Sequence, residues 1–224
     1  MNFDRLAPFY RAMEALAAGG KLQRCRLAFL GEIPVPRTIL LAGEGHGRFL
    51  PECLRRFPEA HIVVIDSSRR MLEIAKSRVD PARVEFIHAD LLEWSGPSAA
   101  FDLVVTHFFL DCFTADELPF VIGKLARVAA HKANWLLADF EIAPAGAARW
   151  RSRLIVGMLY RFFKIVTGLH ASTLIPPDGE IQKTGFIRHR RITYDWELLK
   201  SEWWQRSGCG GGMADGIRRH GGAK

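Results

Sequence analysis

Cysteine is scarce and poorly placed for its usual structural uses. The chain of 224 residues holds four, Cys25, Cys53, Cys112 and Cys209, far apart and with no C-x-x-C pair. That spacing argues against a zinc site and against a disulfide framework, and it fits reduced thiols, the first three as small buried hydrophobes. No apolar run approaches the ~20 residues that span a bilayer. The opening Met1-Asn2-Phe3-Asp4-Arg5 carries an acid and leads into no apolar stretch of signal-peptide type, so a cytoplasmic location is expected. Acidic residues are the minority, 24 against 31 Lys and Arg, for a formal net charge of +7. The excess lies in small clusters (Arg149/Arg151/Arg153, Arg188/Arg190/Arg191, Arg218/Arg219) with no nucleic-acid-binding motif beside them. It reads as solvated faces rather than a nucleic-acid footprint.

What is present is a globular composition, 49% hydrophobic and 25% charged, enough for one well-buried core. We read residues 1–207 as a single domain and 208–224 as a glycine-rich flexible tail. Residues 1–36 form a helical entry segment, with Phe3, Leu6, Phe9/Tyr10, Met13 and Leu16/Ala17 at helical spacing, closed by Pro34 and Pro36. Then element types alternate. Apolar runs at 38–42, 61–65, 84–88, 101–108 and 134–140 are strand candidates, with helices expected at 48–57, 68–79 and 115–130. Continuously apolar strands joined through helices imply a parallel sheet covered on both faces. Runs at 185–194 and 198–205, joined by Asp195-Trp196-Glu197, predict a closing hairpin. The expected fold is α/β, a Rossmann-like doubly wound sheet of seven strands, mostly parallel, with an antiparallel last hairpin strand. Residues 142–184 form a cap or lid insertion. Its long helix, 147–169, carries Trp150, Leu154, Met158, Phe162, Ile165/Val166 and Leu169 on one apolar stripe, expected to pack on the sheet or cover a substrate. Contact with a membrane surface is a third reading.

The central motif is Leu41-Ala42-Gly43-Glu44-Gly45-His46-Gly47-Arg48, a buried strand running through a glycine turn into a helix. Glycine tolerates φ > 0 and lets a ligand approach the backbone. The dinucleotide fingerprint G-x-G-x-x-G needs a third glycine where this chain has Arg48, which weakens a nicotinamide reading. Asp66 closes the second strand and Asp90 the third, placed to accept from a ribose and from an adenine amino group.

Turn and two strand-end acids, in that order, resemble the class I S-adenosylmethionine-dependent methyltransferases over residues 38–141. The start, Phe3-Asp4-x-x-Ala7-x-x-Tyr10, resembles the ubiquinone/menaquinone-biosynthesis type within that family. The resemblance implies S-adenosylmethionine as cofactor and S-adenosylhomocysteine as product. It places the methionine moiety at Gly43, Gly45 and Gly47, the ribose at Asp66 with Ser67, and the adenine at Asp90 with Leu91, flanked by Met71. Tyr10 would close over the cofactor. The family's usual acid two residues before the first glycine is Leu41 here, so Glu44 is expected to meet the ammonium group instead. The catalytic candidates at the end of the fourth strand are His107, as general base and at the cofactor's edge, and Asp111, as its orienter. Asp139 and Glu141 are weaker ones. The (D/N)PP(Y/F) motif of many amino-group methylases of nucleic acid and protein is absent. Phe108, Phe109, Phe113, Trp150, Tyr160, Phe162 and Phe163 suggest a small hydrophobic or aromatic acceptor, methylated at oxygen or carbon. A catalytically silent cofactor-binding protein, a nicotinamide-dependent oxidoreductase and a nucleic-acid methylase remain the rival readings.

Overall fold

The computed structural model describes residues 20–168, 171 and 173–206. The expectations for Tyr10 and the rest of the first helix, for Leu169, for Cys209 and for the tail therefore lie outside the described residues. One sheet holds β1 (Thr38–Ala42), β2 (His61–Asp66), β3 (Val84–His88), β4 (Phe101–His107), β5 (Ala129–Phe140), β6 (Phe186–Tyr194) and β7 (Leu199–Arg206). Their order is β3-β2-β1-β4-β5-β7-β6. Pairs from β3 through β5 are parallel, and β7 runs antiparallel to both β5 and β6. The doubly wound sheet with its hairpin is as expected.

Each central strand divides its side chains between two apolar layers. Leu40, Val63, Val104 and Trp135 enter one core, and Ile39, Leu41, Ile62, Val64 and Leu103 the other. Burial on both faces is why these strands read as unbroken apolar runs. The covering helices include α1 (Lys21–Leu27), α2 (Leu50–Arg56), α3 (Arg69–Lys76) and α4 (Leu118–Val128). The chain winds from β1 outward to β3, then returns to lay β4 on the other side of β1. The carboxyl ends of β1 and β4 thus meet at the topological switch point, where open α/β sheets bind ligands.

Two features differ from expectation, one boundary and one buried face. β5 begins at Ala129, before the apolar run, because a register irregularity between Phe101 and Leu103 lets the exposed His131-Lys132 join the strand. The long helix, α5 (Gly146–Thr167), buries Ser152, Val156, Tyr160 and Thr167, while Trp150, Leu154, Met158 and Ile165 point outward. The stripe expected to pack is the outer one. α5 is apolar around most of its circumference, so spacing alone chose the wrong one of two apolar faces. Phe162 and Val166, placed on the same stripe, are half-buried against Met71.

Candidate active site

The loop after β1 uses its three glycines in three different ways. All have positive φ, +68° at Gly43, +63° at Gly45 and +74° at Gly47, which side chains adopt at a cost. A Cβ at Gly43 would fall 2.0 Å from the Phe109 ring, and one at Gly47 would fall 2.7 Å from the Ala75 Cα of α3. Around Gly45 no heavy atom lies within 4 Å of such a Cβ. Gly47 is therefore a packing glycine, Gly43 sits under an aromatic ring, and Gly45 borders open space.

Asp66, the last residue of β2, holds this loop in place. Its Oδ2 accepts the Gly45 N–H at 3.0 Å and its Oδ1 accepts the Ser68 N–H at 2.8 Å. A carboxylate has about four acceptor sites, so these two bonds are compatible with ribose hydroxyls as further donors. Ser68, rather than Ser67, caps α3 through the Met71 N–H; Ser67 is exposed beside Asp66. Asp90 lies two residues beyond the end of β3, exposed, with Oδ1 accepting the Leu92 N–H at 2.9 Å. Leu91 puts its side chain into the core, which leaves its main chain for any ligand. Met71 is buried against Phe162, Phe163 and Val166 of α5. The sequence had placed it beside the adenine; here α5 crosses to meet it.

Glu44 is tied down by its own loop. Its Oε1 accepts the N–H groups of Phe49 and Leu50 at 2.8 and 3.1 Å, capping the start of α2. Burial pushes its carboxyl up to about 7, opposed by the Arg26 guanidinium. Arg26, on α1, was not singled out from the sequence. It is buried and stacks over the Phe108 ring with 5.0 Å to the centroid. Its helix, Lys-Leu-Gln-Arg-Cys-Arg-Leu, is rich in charge, so nothing in the sequence marks Arg26 out from Lys21 and Arg24. Gly43, Gly45, Asp66 and Asp90 follow or close the adjacent strands β1, β2 and β3. A glycine-rich turn with open space at Gly45, a strand-end carboxylate and an exposed acid fit an adenosyl group carrying a methionine tail.

Across the switch point the chemistry is carried by side chains. Phe108 follows β4 with φ +53°, a strained conformation for a bulky residue. The Ala138 carbonyl accepts its N–H at 2.7 Å, and its ring meets Phe140 edge-on, 5.3 Å between centroids. The turn sends Phe109 over Gly43 and leads into the short 3-10 turn Leu110–Cys112, where Asp111 sits. Tyr160 of α5 donates to the Asp111 carbonyl at 2.8 Å.

His107 is buried, packs edge-on to Phe49 at 4.7 Å and leaves Nδ1 without a partner. Burial, reinforced by Arg26, lowers its pKa well below 6.5, so the ring is neutral at neutral pH. No hydrogen bond joins it to Asp111. The electrostatic partner of Asp111 is instead Asp139, near the end of β5. Burial raises Asp111 to about 6 and Asp139 well above the usual carboxylate range, and the Asp111 charge raises Asp139 further. Lys200 opposes that rise and is itself paired with Asp178 at 2.8 Å. Glu141 is held by Arg191 in this outer ion-pair network, away from the carboxyl pair.

The comparisons agree with this geometry. A family model described as a methyltransferase domain matches residues 39–132. A demethylmenaquinone methyltransferase of Thermus thermophilus is 30% identical over 165 residues, 72% of this chain and 70% of the relative. Among solved structures, an O-methyltransferase family protein from Burkholderia thailandensis superposes with a TM-score of 0.68 at 22% identity. That match covers 92% of this chain and 62% of the longer protein. The N-methyltransferase NodS from Bradyrhizobium japonicum, solved with S-adenosyl-L-homocysteine, gives 0.58 at 16% identity, covering 89% of this chain and 88% of that one. With a sheet order, glycine loop and strand-end acids of this kind, the chain belongs to the class I S-adenosylmethionine-dependent methyltransferases, enzymes that use this cofactor as methyl donor.

Proposed function

We propose that the chain methylates a small apolar or aromatic acceptor, at a hydroxyl oxygen or an ionisable carbon, and that the Asp111–Asp139 pair takes the proton. The observation that carries this is the pair itself: two carboxyls, one in the turn after β4 and one near the end of the neighbouring β5, both raised by burial. Beside them lie Phe108, Phe140, Tyr160 and Phe163. A group whose pKa lies near the working pH is an efficient proton acceptor. Two carboxyls also repel an anionic acceptor, which favours a phenol, enol or comparable neutral group. Neutral His107, at the end of β4, is the second candidate base.

The bound cofactor supplies an electrophilic methyl group on a sulfonium. We assign Gly43, Gly45 and Gly47 to its methionine part, Glu44 to the ammonium, Asp66 and Ser67 to the ribose, and Asp90 with the Leu91 main chain to the adenine. Met71, buried beneath α5, would flank the adenine. The chain's own task is alignment and exclusion of water, which an in-line displacement rewards. The carboxylate pair would take the proton of the acceptor O–H or C–H, whose electron pair would bond the methyl carbon as the methyl–sulfur bond breaks and leaves its own pair on the departing thioether.

Release of S-adenosylhomocysteine, measured against phenolic, enolic and carboxylic acceptors, tests the reading. Phenolic or enolic acceptors should turn over with a rate that rises with pH through about 6. Asp111→Asn should lower kcat by about 100-fold or more while leaving cofactor affinity unchanged. Preferential methylation of carboxylates, or full activity in Asp111→Asn, would remove the proposal.

A further inference from the structure

The outer face of α5 is apolar, basic and uncovered. Trp150, Leu154, Met158 and Ile165 are between 54% and 83% exposed. At ~100° per residue they form one stripe along the helix. Contiguous exposed apolar stripes mark interaction sites more often than chance. Arg149, Arg153, Arg161 and Lys164 lie beside or within the stripe, all exposed. Among the described residues none of the four takes part in an ion pair. The helix contains no acidic residue.

A second element extends this face. Asp195, Trp196 and Glu197, the β6–β7 turn, have φ of +53°, +57° and +60°, a left-handed run that strains non-glycine residues. Lys21 and Arg151 fix it through Asp195 at 2.6 and 2.9 Å. Trp196 is 68% exposed, with the Arg151 guanidinium of α5 5.9 Å from its ring centroid. The turn thus presents a second tryptophan beside the helix.

We propose that this face, α5 with Trp196, docks on an anionic lipid surface. A helix lying flat buries an apolar stripe at the boundary of headgroups and acyl chains, and flanking Lys and Arg meet the phosphates. Tryptophan prefers that boundary, and Arg161 within the stripe can snorkel to the headgroups. Charge decides against a second copy of the chain: a face with at least four basic groups and no acid on its helix meets its own like charge in a symmetric pair. The inner side of the same helix holds the Asp111 turn through Tyr160, so docking surface and candidate site share one element.

Flotation of the full chain with lipid vesicles tests this directly, using phosphatidylcholine alone and an equimolar mixture with phosphatidylglycerol. The protein should float with the anionic vesicles, stay behind with the neutral ones, and be released by high salt. Leu154→Glu combined with Ile165→Glu should weaken flotation by about tenfold or more. Thermal unfolding and S-adenosylhomocysteine binding should not change, because both side chains are exposed. Failure to float with anionic vesicles overturns the proposal, as does flotation that the double variant leaves intact. A concentration-dependent dimer that the double variant disperses would give the face to a second copy instead.

Discussion

The two halves of the carboxyl rim are built on different principles. On the β1–β2–β3 side the working parts are main chain and short acids: the glycine turn, Asp66 bonded to Gly45 and Ser68, and Asp90 bonded to Leu92. On the β4–β5 side they are side chains brought from α1, the β4 turn, β5 and α5, and the central pair is two carboxyls that burial has raised. A cofactor shared by a whole family can be held by backbone shape. An acceptor peculiar to one enzyme needs side chains that vary. Each perturbation below should act on one half and spare the other.

The largest separation is expected within the glycine loop. Gly47→Ala brings a Cβ to 2.7 Å from the Ala75 backbone at φ +74°. Left-handed strain and overpacking together should cost about 3 kcal/mol, or about 6–12 °C in Tm for a domain of this size. Gly45→Ala meets open space at φ +63° and should cost only about 1 kcal/mol, while impairing cofactor binding. Calorimetry of both variants, with and without S-adenosylhomocysteine, checks this. Equal losses of stability would mean that Gly45 is as closely packed as Gly47, and the backbone account of this half would fail.

Glu44 gives the next effect, through pH. Its carboxyl stands at about 7 in the folded protein against 4.5 as a free side chain. The native state therefore keeps a proton that the unfolded chain gives up. The stability this group contributes is full below about 4.5 and is lost as pH rises through about 7. Pairing with an ammonium group requires the ionised form, so affinity should move the other way. Between about pH 5 and about pH 7 it should rise by up to about tenfold per unit, then level off. Titration calorimetry with S-adenosylhomocysteine over that range should show the slope in the natural protein and lose it in Glu44→Gln. A slope that survives the substitution would transfer the ammonium contact to another group.

The same contrast explains what could be read from the sequence. Gly43, Gly45, Gly47, Asp66 and Asp90 follow strands whose apolar runs are unmistakable, so position within the motif already fixed their place on the rim. The parallel part of the sheet was legible for the same reason, since double-sided burial leaves a continuous apolar signature; the closing hairpin was read from its short Asp195-Trp196-Glu197 connection instead, because β6 is mostly exposed. Arg26 had no such frame, since it stands on a helix before the sheet begins. Asp139 had the frame of the fifth strand and entered only as a weaker candidate; only the tertiary fold brings these charges to Glu44 and Asp111. His107 and Asp111 are expected together at the end of the fourth strand, yet no hydrogen bond joins them, because the strained Phe108 turn separates the two side chains. For α5 the difficulty was an excess of signal: two apolar faces on one helix, of which only contact with the rim could choose Val156 and Tyr160 over Leu154 and Met158.

The smallest predicted effect separates anchoring from chemistry in the acceptor half. Tyr160 donates to the main-chain carbonyl of Asp111, not to its carboxylate, and its ring packs with Val156 and Phe163. Tyr160→Phe keeps the ring and removes one hydrogen bond, a loss of about 1 kcal/mol, or about 2–4 °C in Tm. Because the bond ends on the backbone, the apparent pKa of turnover should stay where it is in the natural enzyme. KM for the acceptor should rise modestly as α5 loosens over the site. A shift in the pH profile would mean that the phenol acts on the carboxyl pair itself. Tyr160 would then belong to the proton-handling groups, and the roof over this half of the rim would be part of its chemistry.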